Sequence, residues 1–197
     1  MRTHPLTAAA LLMLSACGAT PNNSAEDRIE VTGSASSQGP LPAPAETRGQ
    51  DFVSTVLGGY AFSLESARLA EQKADQASVK QYATKLRTDL EASQAELTQL
   101  ASAAGLKIEL RAGEMHQTDL AVLSSTRGGP LERAFAEQQM EALTGLVGLI
   151  RAYKNGGDNP QLKAWAEKHQ AIVNDRLMDV QSLNAELQTA DEEPAQR

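Results

Sequence analysis

Four long stretches of helical periodicity constrain the fold of this chain more than any other feature. Over 51–74 apolar residues recur at every third or fourth position, and the same spacing returns in 78–104, 130–153 and 160–187. This spacing places each set of apolar side chains on one face of an α-helix. The sequence therefore predicts four amphipathic helices that bury their apolar faces against one another.

An internal repeat indicates how these helices are arranged. When the sequence is shifted so that Phe52 falls on Phe135, residues 79–85 fall on 162–168. Two related helical hairpins with one apolar stripe each can bury those stripes only against each other. The link from Gly105 to Gly129 is long enough to run the length of a bundle, whereas a simple up-down bundle needs a much shorter one. We expect an all-α, ferritin-like four-helix bundle, with two helical hairpins joined by a long crossover that contains a short helix around 114–124.

Helix ends are marked by residues that favour them. Ser78 begins a sequence that fits a capping box at the start of the second helix, and Gly105 is placed to end that helix. Asn159 and Pro160 are typical of the first turn of the fourth helix. We therefore expect the second helix to begin with a cap from its own chain segment.

The fourth helix carries two polar residues on its apolar stripe. Arg176 lies between Val173 and Val180, where an unpaired charge is too costly to bury, so we expect it to find a carboxylate. His169 is the other, and a lone histidine in such a stripe is more often a hydrogen-bonded core residue than a metal ligand. The complete predicted stripe is Leu162, Ala166, His169, Val173, Arg176, Val180, Leu183 and Leu187. The predicted stripe of the third helix is Leu131, Phe135, Ala142, Leu146, Leu149 and Tyr153.

Cys17, the only cysteine, follows an apolar run that is too short to span a bilayer. The tetrapeptide Leu-Ser-Ala-Cys at 14–17 resembles the lipobox of bacterial lipoproteins, whose cysteine is acylated and becomes the first residue of the mature chain. We therefore predict a lipoprotein signal peptide at 1–16, and Cys17 as the lipidation site that anchors the chain in a membrane. An ordinary secretory signal with an incidental cysteine is the alternative. Because residue 18 is not Asp, the resemblance implies an outer-membrane lipoprotein facing the periplasm, with exposure at the cell surface as the alternative.

Composition and charge indicate the limits of the domain and the kind of partner it can have. Residues 17–50 are rich in Pro, Ser, Ala and Gly, so we predict a disordered tether, then a folded domain over 51–187 and an acidic disordered tail over 188–197. The 25 acidic residues outnumber the 18 basic ones and the net charge is −7, which argues against nucleic acid as a partner. A single cysteine permits no internal disulfide. We expect a protein partner in the cell envelope, which the sequence does not identify.

Residues 51–187 resemble the domain-of-unknown-function 4142 family, a group of ferritin-like helical proteins exported by bacteria. The shared residues are Phe52, Glu65, Val79, Lys80, Ala83, Leu86, Asp89, Ala166 and Leu177. The resemblance also implies three histidines, and this chain has Leu90, Leu143 and Arg176 at those positions. It places Arg176 near the acids that remain, so we expect Glu65 to be its favoured buried partner and Asp89 the second choice.

No residue pattern for catalysis or metal binding stands out. Di-iron bundles use Glu-x-x-His pairs, and the sequence contains none. We therefore predict no catalytic residue, no metal site and no cofactor. Two functions remain open: a non-enzymatic helical module that binds a partner or has a structural role, and a ferritin-like metal-binding or redox protein of stress defence that uses Glu65, Asp89, Glu141 and a histidine. Metal analysis of the purified protein distinguishes them.

Overall fold

The computed structural model describes residues 47–192, which form an all-α four-helix bundle, so the predicted fold class is confirmed. The long helices pack as two hairpins, and a short fifth helix lies in the connection between them. The helices are α1 (Gly49–Lys73), α2 (Ala77–Ala103), α3 (Gln117–Ser125), α4 (Gly128–Gly156) and α5 (Pro160–Glu192), and a 3₁₀ turn at Glu114–His116 precedes α3.

The connection between the hairpins runs the length of the bundle. It leaves α2 beside the first turn of α1, where the Lys107 N–H donates to the side-chain oxygen of Gln50 at 2.9 Å. It ends beside the last turn of α1, where Lys73 Nζ donates to the carbonyl of Leu123 at 3.3 Å. On its way α3 packs on α1 and α4, while α1 lies beside α2 and α4, and α5 beside α4 and α2. This is the predicted crossover topology.

Two equivalent aromatic contacts join the hairpins. Phe52 of α1 meets the ring of Trp165 on α5 edge-on, with ring centroids 6.0 Å apart. At the other end of the bundle, Phe135 of α4 meets Tyr82 of α2 in the same way at 5.9 Å. The internal repeat places Phe52 on Phe135 and Tyr82 on Trp165, so the two contacts are related by the repeat. Each hairpin therefore inserts a phenylalanine against the second helix of the other.

The apolar stripes are buried as expected in α5 and only partly in α4. All eight predicted stripe residues of α5 are buried. In α4, Ala142 and Leu149 are half-buried, whereas Leu143 and Ile150, which the stripe did not include, are fully buried. Apolar residues surround much of α4 in this stretch, so periodicity alone allows two adjacent faces. Packing against α1 and α5 selects the one with Leu143 and Ile150.

Two predicted helix ends occur where the sequence places them. The side-chain oxygen of Asn159 accepts hydrogen bonds from the N–H groups of Gln161 and Leu162, at 2.9 and 3.2 Å, and so caps α5. Gly105 has a φ of 70°, a conformation that favours glycine, and the next N–H, from Leu106, donates to the carbonyl of Ala101. Both ends are therefore set by local sequence.

The start of α2 differs from the prediction. No side chain of its own segment caps this helix, which begins at Ala77 rather than after Ser78. Instead Oε1 of Glu132, a fully buried residue of α4, accepts the N–H groups of Asp75 and Gln76 at 2.7 and 2.8 Å. A carboxylate at a helix N-terminus also meets the positive end of the helix dipole. The cap comes from the other hairpin, so a search along the local sequence could not find it.

The predicted domain limits fall close to the ends of the described region. Helix α1 begins at Gly49, and α5 continues to Glu192, beyond the predicted end of the domain at residue 187. The predicted signal peptide, Cys17, most of the predicted tether and residues 193–197 lie outside the described residues. Among the helices that are described, none is long and apolar enough to cross a membrane.

We predict that Glu132→Ala lowers the free energy of unfolding by about 1 to 3 kcal/mol, because it leaves two backbone N–H groups of the α1–α2 turn without an acceptor. The matched control is Glu137→Ala, an exposed glutamate of the same helix, which should change stability by less than about 0.5 kcal/mol. Denaturant unfolding followed by circular dichroism measures both. Equal, small effects would show that Glu132 does not hold the turn.

Candidate functional site between α2 and α5

The polar residues of the α5 stripe are buried in the bundle. Arg176 is 5 % exposed and His169 is 3 % exposed, although both are flanked by apolar neighbours on the same face. Charged groups are rarely buried to this extent without partners. We name the surrounding residues the α2–α5 ion cluster, which consists of Lys85, Asp89, Glu96, Lys168, His169, Arg176 and Asp179.

Arg176 lies between two carboxylates. Its Nε is 3.4 Å from Oδ2 of Asp89 on α2, and its Nη1 is 2.9 Å from Oδ2 of Asp179, one turn further along α5. Neither nitrogen makes a hydrogen bond with the described part of the chain, so these contacts are ion pairs without aligned N–H groups. Lys85 also approaches Asp179, at 3.1 Å. The arrangement balances the buried positive charge with two carboxylates that remain partly exposed.

Glu65, the favoured partner in the sequence analysis, does not fill that role. Its carboxylate is about half exposed and pairs with Arg68 at 3.7 Å, on the same helix. The reason is the helix order: α1 packs beside α2 and α4, and the neighbour of α5 on this side is α2. Of the predicted residues, the structure therefore brings together Arg176 and Asp89, and leaves Glu65 on the surface.

Sequence reasoning missed Asp179 as a partner. A signal was present, because Arg176 and Asp179 are three residues apart and so lie on adjacent turns of one helix. Sequence reasoning also missed the contact of Glu96 with α5. The Oε2 atom of Glu96 lies 2.8 Å from Lys168 Nζ and 3.3 Å from His169 Nε2. Nothing in the spacing of α2 indicates this contact.

His169 is a hydrogen-bonded core residue, as its place in the stripe suggested. Its Nδ1 donates to the carbonyl of Trp165 at 2.9 Å, and the imidazole stacks on the indole ring with centroids 4.3 Å apart. Burial lowers the pKa of the His169 imidazole below its ordinary value, and the Trp165 carbonyl and Glu96 offset only part of that effect. One ring nitrogen is thus committed to the backbone, and the other faces a single carboxylate.

The ion cluster is a poor match to a metal centre. Within 47–192 no three His, Cys, Asp or Glu side chains are close enough together to hold a metal ion. The positions at which the family resemblance implies histidine all face the core, as Leu90, Leu143 and Arg176, with at most 5 % exposure. Leucine offers no donor atom, and the guanidinium of Arg176 is a permanent cation without a lone pair to give. The described arrangement holds a fixed positive charge in place.

The comparison with known proteins agrees with this fold. The model of a family described as a domain of unknown function, DUF4142, matches residues 34–183. The chain belongs to this family. Its description assigns no activity, so membership establishes the type of domain and not a reaction. No curated protein matches the chain.

A solved structure supports the same arrangement of helices. The bundle is similar to a chain described as CopM in the Cu(II)-bound form, with a TM-score of 0.59 and 15 % sequence identity. The similarity covers 71 % of this chain and 97 % of the CopM chain. At this level of identity the likeness establishes a shared fold for this DUF4142 domain and nothing further.

We predict that the double substitution Asp89→Asn and Asp179→Asn destabilises the domain by about 3 kcal/mol, because it leaves a buried guanidinium without a counter-charge. Adding Arg176→Leu to the pair should recover most of that loss. Glu65→Gln is the matched control, because it removes an exposed carboxylate and should cost less than about 0.5 kcal/mol. Thermal and urea unfolding of the wild type and the three variants measure these differences. A larger cost for Glu65→Gln than for the double substitution would contradict the assignment.

Proposed function

We propose that this DUF4142 protein is a non-enzymatic helical module that binds a partner or serves a structural role at the bacterial cell envelope. The observation that carries the proposal is the buried Arg176 with its two carboxylates. A guanidinium occupies a core position where the family resemblance implies a histidine, and it brings a fixed positive charge to the bundle interior. A fixed charge contributes to the fold and does not exchange protons or electrons.

We further propose that an acyl chain on Cys17 anchors the protein in the outer membrane, facing the periplasm. The proposal rests on the sequence at 14–17 and on Gly18, which follows the cysteine. An anchor of this kind leaves the helical domain in water and needs no spanning segment.

A ferritin-like metal-binding or redox protein is the second candidate. The likeness to CopM in its Cu(II)-bound form favours it, because that protein holds a metal on a similar fold. The described residues fit the idea poorly: His169 and Glu96 offer two donor groups at most, and Asp89 is already paired with Arg176. Of the acids assigned to this candidate, Glu65 and Glu141 are both exposed.

Metabolic labelling tests the anchor. Cells that express the full chain are grown with a clickable fatty-acid analogue, and the protein is then isolated and examined for the label. We expect the wild type to be labelled and Cys17→Ser to be unlabelled, because that thiol is the acylation site. Equal labelling of both proteins would rule out Cys17 as the anchor.

Metal analysis tests the proposal that the protein is a non-enzymatic module. The soluble chain 18–197 keeps every residue of the core, which runs from Phe52 to Leu187. After incubation with Cu(II), Fe(II), Mn(II) or Zn(II) and removal of free metal, we expect far less than one ion per chain by mass spectrometry. CopM, treated in parallel, is the positive control for copper. One or two tightly held ions per chain would overturn the proposal in favour of the second candidate.

A further inference from the structure

A groove of about 380 Å³ lies where the crossover passes over α1 and α4, away from the α2–α5 ion cluster. Its volume is in the lower part of the range of small-molecule sites. We call it the crossover groove. Its lining residues are Thr55, Phe62, His116, Asp119, Gln138, Glu141, Ala142, Gly145, Leu146 and Leu149.

The floor of the crossover groove is apolar. Phe62 is buried, with the His116 ring stacked on it at 4.2 Å, and Leu146 and Leu149 continue the floor along α4. A Cβ atom added to Gly145 would meet no heavy atom within 4 Å, so the space extends over the backbone of α4. The half-buried Leu149, which the sequence analysis placed in the core stripe, belongs to this surface. The floor can take the alkyl chain of a small ligand.

The rim of the groove presents hydrogen-bond acceptors. Nε2 of Gln138 donates to the Asp119 carbonyl at 3.3 Å, which turns the amide so that its buried Oε1 has no partner in the described chain. The carboxylate of Asp119 lies 3.6 Å from Nδ1 of His116, too far for a hydrogen bond. Glu141 adds a second carboxylate, and no Lys or Arg of the described residues lines the groove. The rim therefore has negative charge and acceptors in excess of donors.

We propose that the crossover groove binds a small organic cation with an apolar body, such as an alkyl ammonium. The ammonium group would lie near the carboxylates of Asp119 and Glu141, while the apolar body packs on Leu149 and over the backbone at Gly145. The net charge of −7 favours the approach of a cation to the chain as a whole. This inference rests on the proposed function, because it gives a ligand class to a binding module.

A second copy of the chain fits the groove less well. In a two-fold dimer the same surface faces itself, so the two acidic rims would approach each other. Like charges that face each other across an interface oppose association. A cationic ligand brings positive charge and hydrogen-bond donors to the acidic rim, whereas a second copy of the same surface brings more negative charge and more acceptors.

Three probes with one apolar body test the charge preference: octylammonium, 1-octanol and octanoate. Binding to the chain 18–197 is measured by isothermal titration calorimetry, below the micelle-forming concentration of the two ionic probes and below the solubility limit of octanol. We expect octylammonium to bind about fivefold more tightly than octanol, as an exposed charge pair allows, and at least tenfold more tightly than octanoate. Equal affinities, or tighter binding of octanoate, would overturn the inference.

Two pairs of variants place the ligand. Gly145→Leu places a side chain in the groove, and its Cβ meets no heavy atom within 4 Å, so it should abolish binding. Gly148→Leu has the same open space around its Cβ but lies outside the groove, so it should have no effect. Both replace glycine by a better helix former, so folding is retained. Glu141→Gln should weaken octylammonium about fivefold and leave octanol unchanged, and Glu137→Gln should change neither. Binding that survives Gly145→Leu would overturn the inference.

Two further measurements separate the possible failures. If sedimentation shows a dimer that Gly145→Leu dissociates, the groove is an interface between copies and the ligand class is wrong. Metal content is measured on the same samples. A metal-free chain that does not bind octylammonium contradicts this inference alone. A chain that holds metal contradicts the proposed function, whether or not it binds the probes.

Discussion

The two hairpins are held together by reciprocal aromatic contacts that depend on one another. Phe52 packs on Trp165 near one end of the bundle, and Phe135 packs on Tyr82 near the other. Because each hairpin has a single apolar face, neither can bury its aromatic rings alone. The crossover has to be long for this reason: only a link that returns to the far end of α1 lets both contacts form at once.

Within this near-symmetric frame, Arg176 is the main departure. The internal repeat that places Phe52 on Phe135 also places Ser93, a buried small residue of α2, on Arg176 of α5. The serine hydroxyl donates to the carbonyl of Asp89 on its own helix, while the arginine needs charges from two helices. The two halves thus share a fold, and at this layer they differ in charge. The DUF4142 domain keeps its core there by ion pairing rather than by apolar packing.

Local and periodic features were predictable from the sequence, and contacts between hairpins mostly were not. The α5 stripe and its Asn159 cap follow from spacing and residue type within a few positions. The partner of Arg176 depended on which helix packs beside α5, so the wrong acid, Glu65, was preferred to Asp89. Glu132 at the start of α2 and the crossover groove arise from residues far apart in sequence. Periodicity carries no information about such pairs, because it describes one helix at a time.

The direction of the chain through the bundle has a consequence for orientation at a surface. Thr47, the first described residue, lies at the α4–α5 turn, where its carbonyl accepts the N–H of Asp158 at 3.0 Å. The last residues of α5 lie at the opposite end, a helix of 33 residues away, or about 50 Å. If Cys17 is the anchor, the domain is tethered by the end that carries the α4–α5 turn. The α1–α2 turn, closed by Glu132, lies at the end of the bundle that is remote from this attachment.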